Sequence, residues 1–190
     1  MWVISHYKSD YQWVKEYTED YIVYKKDMVN TGYNIFDIMS FIIEFYDDLP
    51  KTCVFVKDNV LERHITKKEF NKLIKNKTFT PLLTQSHKTY EPVCRYVDGL
   101  YQERNDSWYF NSYPHKYFST YKEFAGIMKL PNPEYLSFAP GGCYIVPRDN
   151  ILRRDKKFYK DLLKFCSWSQ INAESHAIER SLYTIWTHPH

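Results

Sequence analysis

The sequence is short of glycine, with only five in 190 residues, and rich in Lys, Asn, Tyr and Ile, the bias of an A/T-rich genome. Its four cysteines, Cys53, Cys94, Cys143 and Cys166, lie far apart, mostly inside apolar runs, and form no C-x-x-C pair. That spacing argues against a zinc site and implies no disulfide framework. No apolar run reaches the ~18 residues that a membrane-spanning helix requires. Nor does Met1-Trp-Val-Ile-Ser5 contain a basic segment followed by a long apolar one, so a cytoplasmic location is expected. Charge of one sign is scarce as well. The net charge is +3 and acidic and basic residues alternate, so no nucleic-acid partner is demanded. Local clusters at Lys67-Lys68, Lys72, Lys75, Lys77 and at Arg153-Arg154, Lys156-Lys157 read as solvated helix faces or as attraction for a phosphate.

Aromatic residues are abundant. Tyr, Phe and Trp make up 18% of the chain, more than a core of this size needs, which implies either a cleft that stacks on flat ligands or compositional drift. The length suits one domain, 1–190, with one sheet and helices on both faces.

The periodicity predicts strands at Trp2–Ser5, Tyr21–Tyr24 and Cys53–Val56. Between them come an amphipathic stretch over Asp10–Glu19 and a helix carried by Ile35, Ile38, Met39, Ile42, Ile43 and Tyr46, after the turn Asn30-Thr-Gly32. Strand, helix, strand, helix, strand is the pattern of parallel βαβ units, whose ligands bind beyond the carboxyl ends of the strands. Those ends are Ser5-His6-Tyr7, Lys26-Asp27 and Lys57-Asp58-Asn59. Thr66 and Glu69 read as a capping box for a helix over Lys67–Lys75. Residues 78–133 lack lasting periodicity and read as loops with short helices, one over Thr120–Met128. From Leu136 an apolar approach leads to a Pro140-Gly141-Gly142 turn and a strand Cys143–Val146. A capped helix then starts at Asp149-Asn150, with Phe158, Leu162, Leu163 and Cys166 as its stripe. A last helix over Asn172–Trp186 buries Ile178, Leu182, Ile185 and Trp186.

The block from Asn30-Thr-Gly-Tyr-Asn through Phe45-Tyr-Asp-Asp-Leu-Pro to Cys53-Val-Phe-Val-Lys-Asp-Asn59 resembles a family uncharacterised in fungi and bacteria. It also resembles the small GT-A glycosyltransferases of large chlorella viruses. Val3-Ile-Ser-His-Tyr-Lys-Ser-Asp-Tyr-Gln-Trp-Val14 and the stretch from Pro140 to Trp186 fit the same family, so the likeness covers both ends of the chain and skips the middle. The resemblance implies an α/β, single-domain GT-A fold, Rossmann-like, with a mixed, mainly parallel central sheet flanked by helices. Residues 1–60 would be its nucleotide-sugar half and 134–187 its acceptor and catalytic half. It further implies a nucleotide-sugar donor, UDP-linked by preference, a glycan or other hydroxyl acceptor, a Mn²⁺ or Mg²⁺ ion, and a viral protein acting in host cytoplasm.

Residue by residue, the family's D-x-D metal element falls on Val56-Lys57-Asp58-Asn59, which departs from it. Asp58 is the expected catalytic metal carboxylate, with Asn59 and His176 completing the ion's ligands, and Lys57 facing the phosphates. An Asp-Asn pair is equally a strand-ending turn. Ser5, His6, Tyr7, Asp27 and Gly32 are expected around the base and ribose, or else are plain loop residues. Gly141 and Gly142 would line the donor sugar, or form a tight turn, and Arg148 would fork onto the diphosphate. Glu174 matches the family's catalytic base if the reaction inverts, or is a partner for the helix dipole. His176, Glu179 and Tyr183 share one helix face, and Glu179-Arg180 can be an ion pair. Trp108, Tyr109, Tyr113 and Tyr117 are expected on the acceptor side. His64, His87 and His115 have no partners at metal spacing, and His188 and His190 read as tail. The alternative is a non-catalytic module binding carbohydrate or nucleic acid through exposed aromatics and lysines.

Overall fold

The structure is a computed structural model that describes residues 1–26, 29–84, 93–97 and 100–188, with the backbone alone at Glu62. Its main sheet contains β1 (Trp2–His6), β2 (Tyr21–Lys25), β3 (Thr52–Lys57), β4 (Thr80–Pro81) and, from the C-terminal third, β8 (Tyr144–Pro147). The order is β2-β1-β3-β8-β4. The first three strands run parallel, as the βαβ pattern requires, whereas β8 pairs antiparallel to β3 with Phe55 opposite Tyr144 and Thr52 opposite Pro147. The fold is therefore mixed α/β, with a mixed parallel and antiparallel sheet flanked by helices.

Strand alternation divides the core into two. Val3, Cys53, Phe55, Tyr144 and Val146 point to one face. Against them pack α1 (Tyr33–Phe45), α7 (Lys156–Cys166) and α8 (Ala173–Thr187). Trp2, Ile4, Val54, Val56, Cys143 and Ile145 point to the other face. There they meet Val14 of a short 3-10 helix (Gln12–Glu16), α2 (Val60–Arg63) and Phe70 of α3 (Lys67–Leu73). The stretch read as amphipathic over Asp10–Glu19 thus makes a single 3-10 turn, because Val14 is the one residue of it that is buried. Thr66 caps α3 through the Glu69 amide as expected.

The middle of the chain holds more order than its composition signalled. A second, three-stranded antiparallel sheet, β5 (Cys94–Val97), β6 (Leu100–Arg104) and β7 (Tyr135–Phe138), is joined by α4 (Trp108–Ser112) and α5 (Tyr121–Met128). Asp149 and Asn150 fall inside α6 (Arg148–Ile151), and the capped helix start belongs to Asp155, whose carboxylate accepts from the Phe158 amide. Asn172 caps α8, and its four expected apolar residues are all buried.

The small sheet is tied to α8 by a buried ion pair. Arg180 donates from Nε to Glu103 Oε1 at 2.6 Å and from Nη2 to Oε2 at 2.9 Å, and Trp108 Nε1 adds a third bond to Oε1 at 3.0 Å. The rings of Trp108, Tyr109 and Phe138 enclose the guanidinium at 5.4, 4.8 and 4.9 Å. A charge this deep is tolerated only while its partner is present. Arg180→Met is therefore expected to cost about 3–5 kcal/mol of unfolding free energy by stranding Glu103, and adding Glu103→Leu to recover much of it. Urea unfolding of the two variants checks this. A double variant as unstable as the single one contradicts it.

Candidate functional site

A cleft of about 530 Å³ opens where the carboxyl ends of β1 and β3 face α8 and the small sheet. That size fits a small organic ligand. Its lining mixes aromatic faces (Tyr7, Tyr33, Trp108, Tyr113), cations (Lys57, Arg63) and the amide side chains of Asn30, Asn34 and Asn59. Glu103 and Glu179 are the carboxylates in this lining. A recess of about 30 Å³ shares Tyr7, Asn30, Tyr33, Asn34 and Lys57 with it and continues inward to Ser5, His6, Lys26 and Asp37. A groove of about 620 Å³ lies elsewhere, lined by Trp2, Tyr17, Asn71, Lys75 and their neighbours. Its lining also carries two cations, Lys75 and Lys77, but its one carboxylate, Glu16, is paired to Lys67.

The antiparallel direction of β8 decides which of its flanking residues reach the cleft. Its start lies beside the end of β3, so Pro140 and Gly141 line the cleft. The turn has φ of +86° at Gly141 and +63° at Gly142, and a Cβ at Gly141 would stand 2.5 Å from the His64 ring. Its geometry is held by Asn34, whose Nδ2 donates to the Gly141 carbonyl at 2.6 Å, and by Glu179, whose Oε1 accepts from the Gly141 amide at 2.5 Å. Gly142 sits one residue deeper, against Asn34 and Leu182, and is not in the lining.

Arg148, after β8, is carried to the opposite end of the sheet, where it donates to the Leu49 carbonyl and does not reach the cleft. The expected diphosphate contact is corrected on that ground. Gly32, with φ +60°, likewise serves packing: a Cβ there would meet the Cys166 carbonyl at 2.6 Å, so the close approach is to α7 and not to a ligand. Asp27 lies outside the described residues. Ser5 and His6 reach only the inner recess, and Tyr7 and Lys57 line both spaces.

Both expected carboxylates are occupied. Asp58 Oδ2 accepts from the amides of Tyr7, Lys8 and Ser9 at 2.9, 3.3 and 3.1 Å and lies 3.2 Å from His6 Nδ1. Asp58 is thus the anchor of the loop after β1, and it is not in the cleft lining. Glu174 is fully buried: Oε1 accepts from the amides of Lys116 and Tyr117 at 2.7 and 2.8 Å, and Oε2 from Trp168 Nε1 at 3.3 Å. It fastens the 114–118 loop to α8 and is not placed to take a proton from a ligand. Nor do Asp58, Asn59 and His176 assemble into a cation site, since Asn59 lines the cleft from the end of β3 and His176 from α8, while Asp58 faces its loop. Among the described residues no group of three or more His, Cys, Asp or Glu gathers.

His176 and Glu179 do line the cleft from one face of α8, as their spacing implied, whereas Tyr183 packs on Phe79 at 5.7 Å. His176 stacks on Tyr113 with centroids 4.5 Å apart and the planes 12° from parallel, beside Tyr33 and Trp108. Its Nε2 is buried without a hydrogen-bond partner. Tyr109 is buried behind this wall and Tyr117 packs on Phe165, so of the four expected acceptor-side aromatics Trp108 and Tyr113 reach the cleft. Sequence reasoning passed over Arg63, Asn34, Glu103 and the lining role of Glu179. In the recess, burial lifts the Asp37 carboxyl to about 6 against the pull of Lys26, 3.3 Å away, and burial lowers the Lys26 ammonium.

Burial, helped by the nearby Arg180 charge, drives the His176 imidazole down to about 3. A depressed folded-state value means that stability is fully present above the unfolded value near 6.5 and is lost as pH falls toward 3. Below pH 6.5 this residue is therefore expected to withdraw up to about 1.4 kcal/mol per pH unit, because the unfolded chain takes a proton that the native state refuses. His176→Gln should flatten the stability profile between pH 4 and 6.5 by close to one proton, read by urea unfolding across that range. An unchanged slope contradicts the assignment. No family model matches the chain, and no curated protein or solved structure matches it.

Proposed function

We propose that the protein is a glycosyltransferase that moves a sugar from a nucleotide-linked donor, UDP-linked by preference, onto a hydroxyl of a glycan or similar acceptor. The observation that carries this reading is the composition of one cleft. Stacking faces for a base or sugar, two cations for a diphosphate, and a carboxylate with spare accepting capacity converge at the carboxyl edge of a parallel sheet segment.

Within this reading Glu179 takes the role first expected of Glu174. Glu103 is neutralised by two guanidinium nitrogens of Arg180, while among the described residues Glu179 holds only the Gly141 amide and a distant Arg180 contact of 3.7 Å. As general base it accepts the proton of the acceptor hydroxyl while that oxygen bonds to the anomeric carbon. The bond from that carbon to the diphosphate oxygen breaks, and its electron pair leaves on the phosphate. The Gly141 amide fixes the carboxylate, so the base meets the acceptor at a constant position. Trp108 and Tyr113 supply the flat wall against which a sugar ring lies.

Incubation with a panel of UDP-sugars is expected to release UDP slowly in the absence of acceptor and faster with glycan acceptors. Glu179→Gln should reduce that release by about 10²–10⁴ while leaving UDP affinity unchanged. Binding of sugars without any release of nucleotide would instead mark a non-catalytic carbohydrate-binding module.

A further inference from the structure

The residues at the end of β3 suggest how a donor diphosphate would be neutralised. A divalent cation needs carboxylate oxygens turned toward it. Here the one aspartate of the strand end is turned away. Its Oδ2 is taken by the Tyr7, Lys8 and Ser9 amides and by His6, and the residue is 6% exposed. Freeing that oxygen would mean dismantling the loop that carries Tyr7 into the cleft.

Its neighbour in the chain points the other way. Strand alternation places Lys57 and Asp58 on opposite sides, and Lys57 lines both the cleft and its inner recess. One turn further on, Arg63 of α2 lines the same space. Lys57 and Arg63 carry no ion pair with an acid among the described residues, whereas Lys26, the cation at the end of β2, is committed to Asp37, Asn30, and the carbonyls of Thr31 and Tyr33. Between Lys57 and Arg63, Asn59 presents a side-chain oxygen that is buried without a partner. That oxygen suits a donor such as a ribose hydroxyl or a base N–H, not a phosphate.

We propose that Lys57 and Arg63 bind the diphosphate of a nucleoside diphosphate directly, in the place of a divalent cation, with Asn59 accepting a hydrogen bond from the nucleoside. The inference rests on the donor reading above and names its charge partner. Two fixed side-chain cations offset the charge that builds on the leaving phosphate, and an arginine fork matches two phosphate oxygens at once.

Titration calorimetry of the full chain with UDP, GDP and ADP, in EDTA and again in Mn²⁺, tests this. Binding of at least one of them in EDTA, within about threefold of its affinity in Mn²⁺, is expected. Lys57→Met and Arg63→Met should each weaken it about tenfold or more, Lys57→Arg should restore most of it, and Lys75→Met, outside the cleft, should leave it unchanged. Circular dichroism of each variant confirms folding. Binding that appears only with Mn²⁺, or that is indifferent to both substitutions, overturns the proposal while leaving the donor reading standing. Failure of every nucleoside diphosphate to bind in either buffer removes both.

Discussion

The antiparallel pairing of β8 with β3 is the constraint on which the site depends. Phe55 opposite Tyr144 brings the Pro140-Gly141-Gly142 turn to the same edge as Tyr7, Lys57 and Asn59, which lie far earlier in the chain. The turn can sit there because the two glycines accept positive φ and leave space for His64 and Asn34. From that edge the turn reaches α8 through one bond, Gly141 amide to Glu179, so the sheet, the glycine turn and the last helix share a geometry. The same register sends Arg148 to the far end, where it holds the Leu49 carbonyl.

The second fixed point is α8 itself. One face of it is apolar, with Ile178, Leu182, Ile185 and Trp186 in the core. Turned away from it, His176 and Glu179 face the cleft and Arg180 reaches Glu103, while Glu174, one turn before Ile178, is buried against the 114–118 loop. Three carboxylates near one helix thus do three jobs. Glu174 organises a loop, Glu103 balances a buried guanidinium, and Glu179 holds the Gly141 amide at the cleft wall. Burial, reinforced by the Arg180 charge, keeps His176 neutral, which leaves the aromatic wall of the cleft uncharged near neutral pH.

Much of this was legible in the chain and some was not, for identifiable reasons. The parallel strands and the long helices announce themselves by period because each buries a continuous stripe. The β5–β7 sheet does not, since its strands have four or five residues and its polar positions, Gln102, Glu103 and Ser137, are paired to one another or to α8. Direction along a strand is likewise absent from a hydrophobic pattern, so the sequence does not show that Arg148, after β8, lies at the end of the sheet away from the cleft. The separation of Glu174 from the cleft follows from arithmetic that the sequence already contains. Two residues along a helix turn a side chain by about 200°, so Glu174 cannot share a wall with His176, whereas three residues return it to within about 60°, where Glu179 stands. Asp58 and Lys57 were separable by the same logic of alternation, but only the hydrogen bonds to residues 7–9 show which of the two faces the loop.

The central claim is that one cleft, bounded by β1, β3, the Gly141 turn and α8, is where a nucleotide-linked ligand sits. Amide chemical-shift mapping during a UDP titration tests it most directly. The account predicts that the signals of Tyr7, Asn59, Gly141 and His176 move together, while those of Lys116, Tyr117 and Arg148 stay fixed. Shifts gathered around Arg148, or around Trp2, Tyr17 and Lys75, with the cleft unmoved, would contradict it.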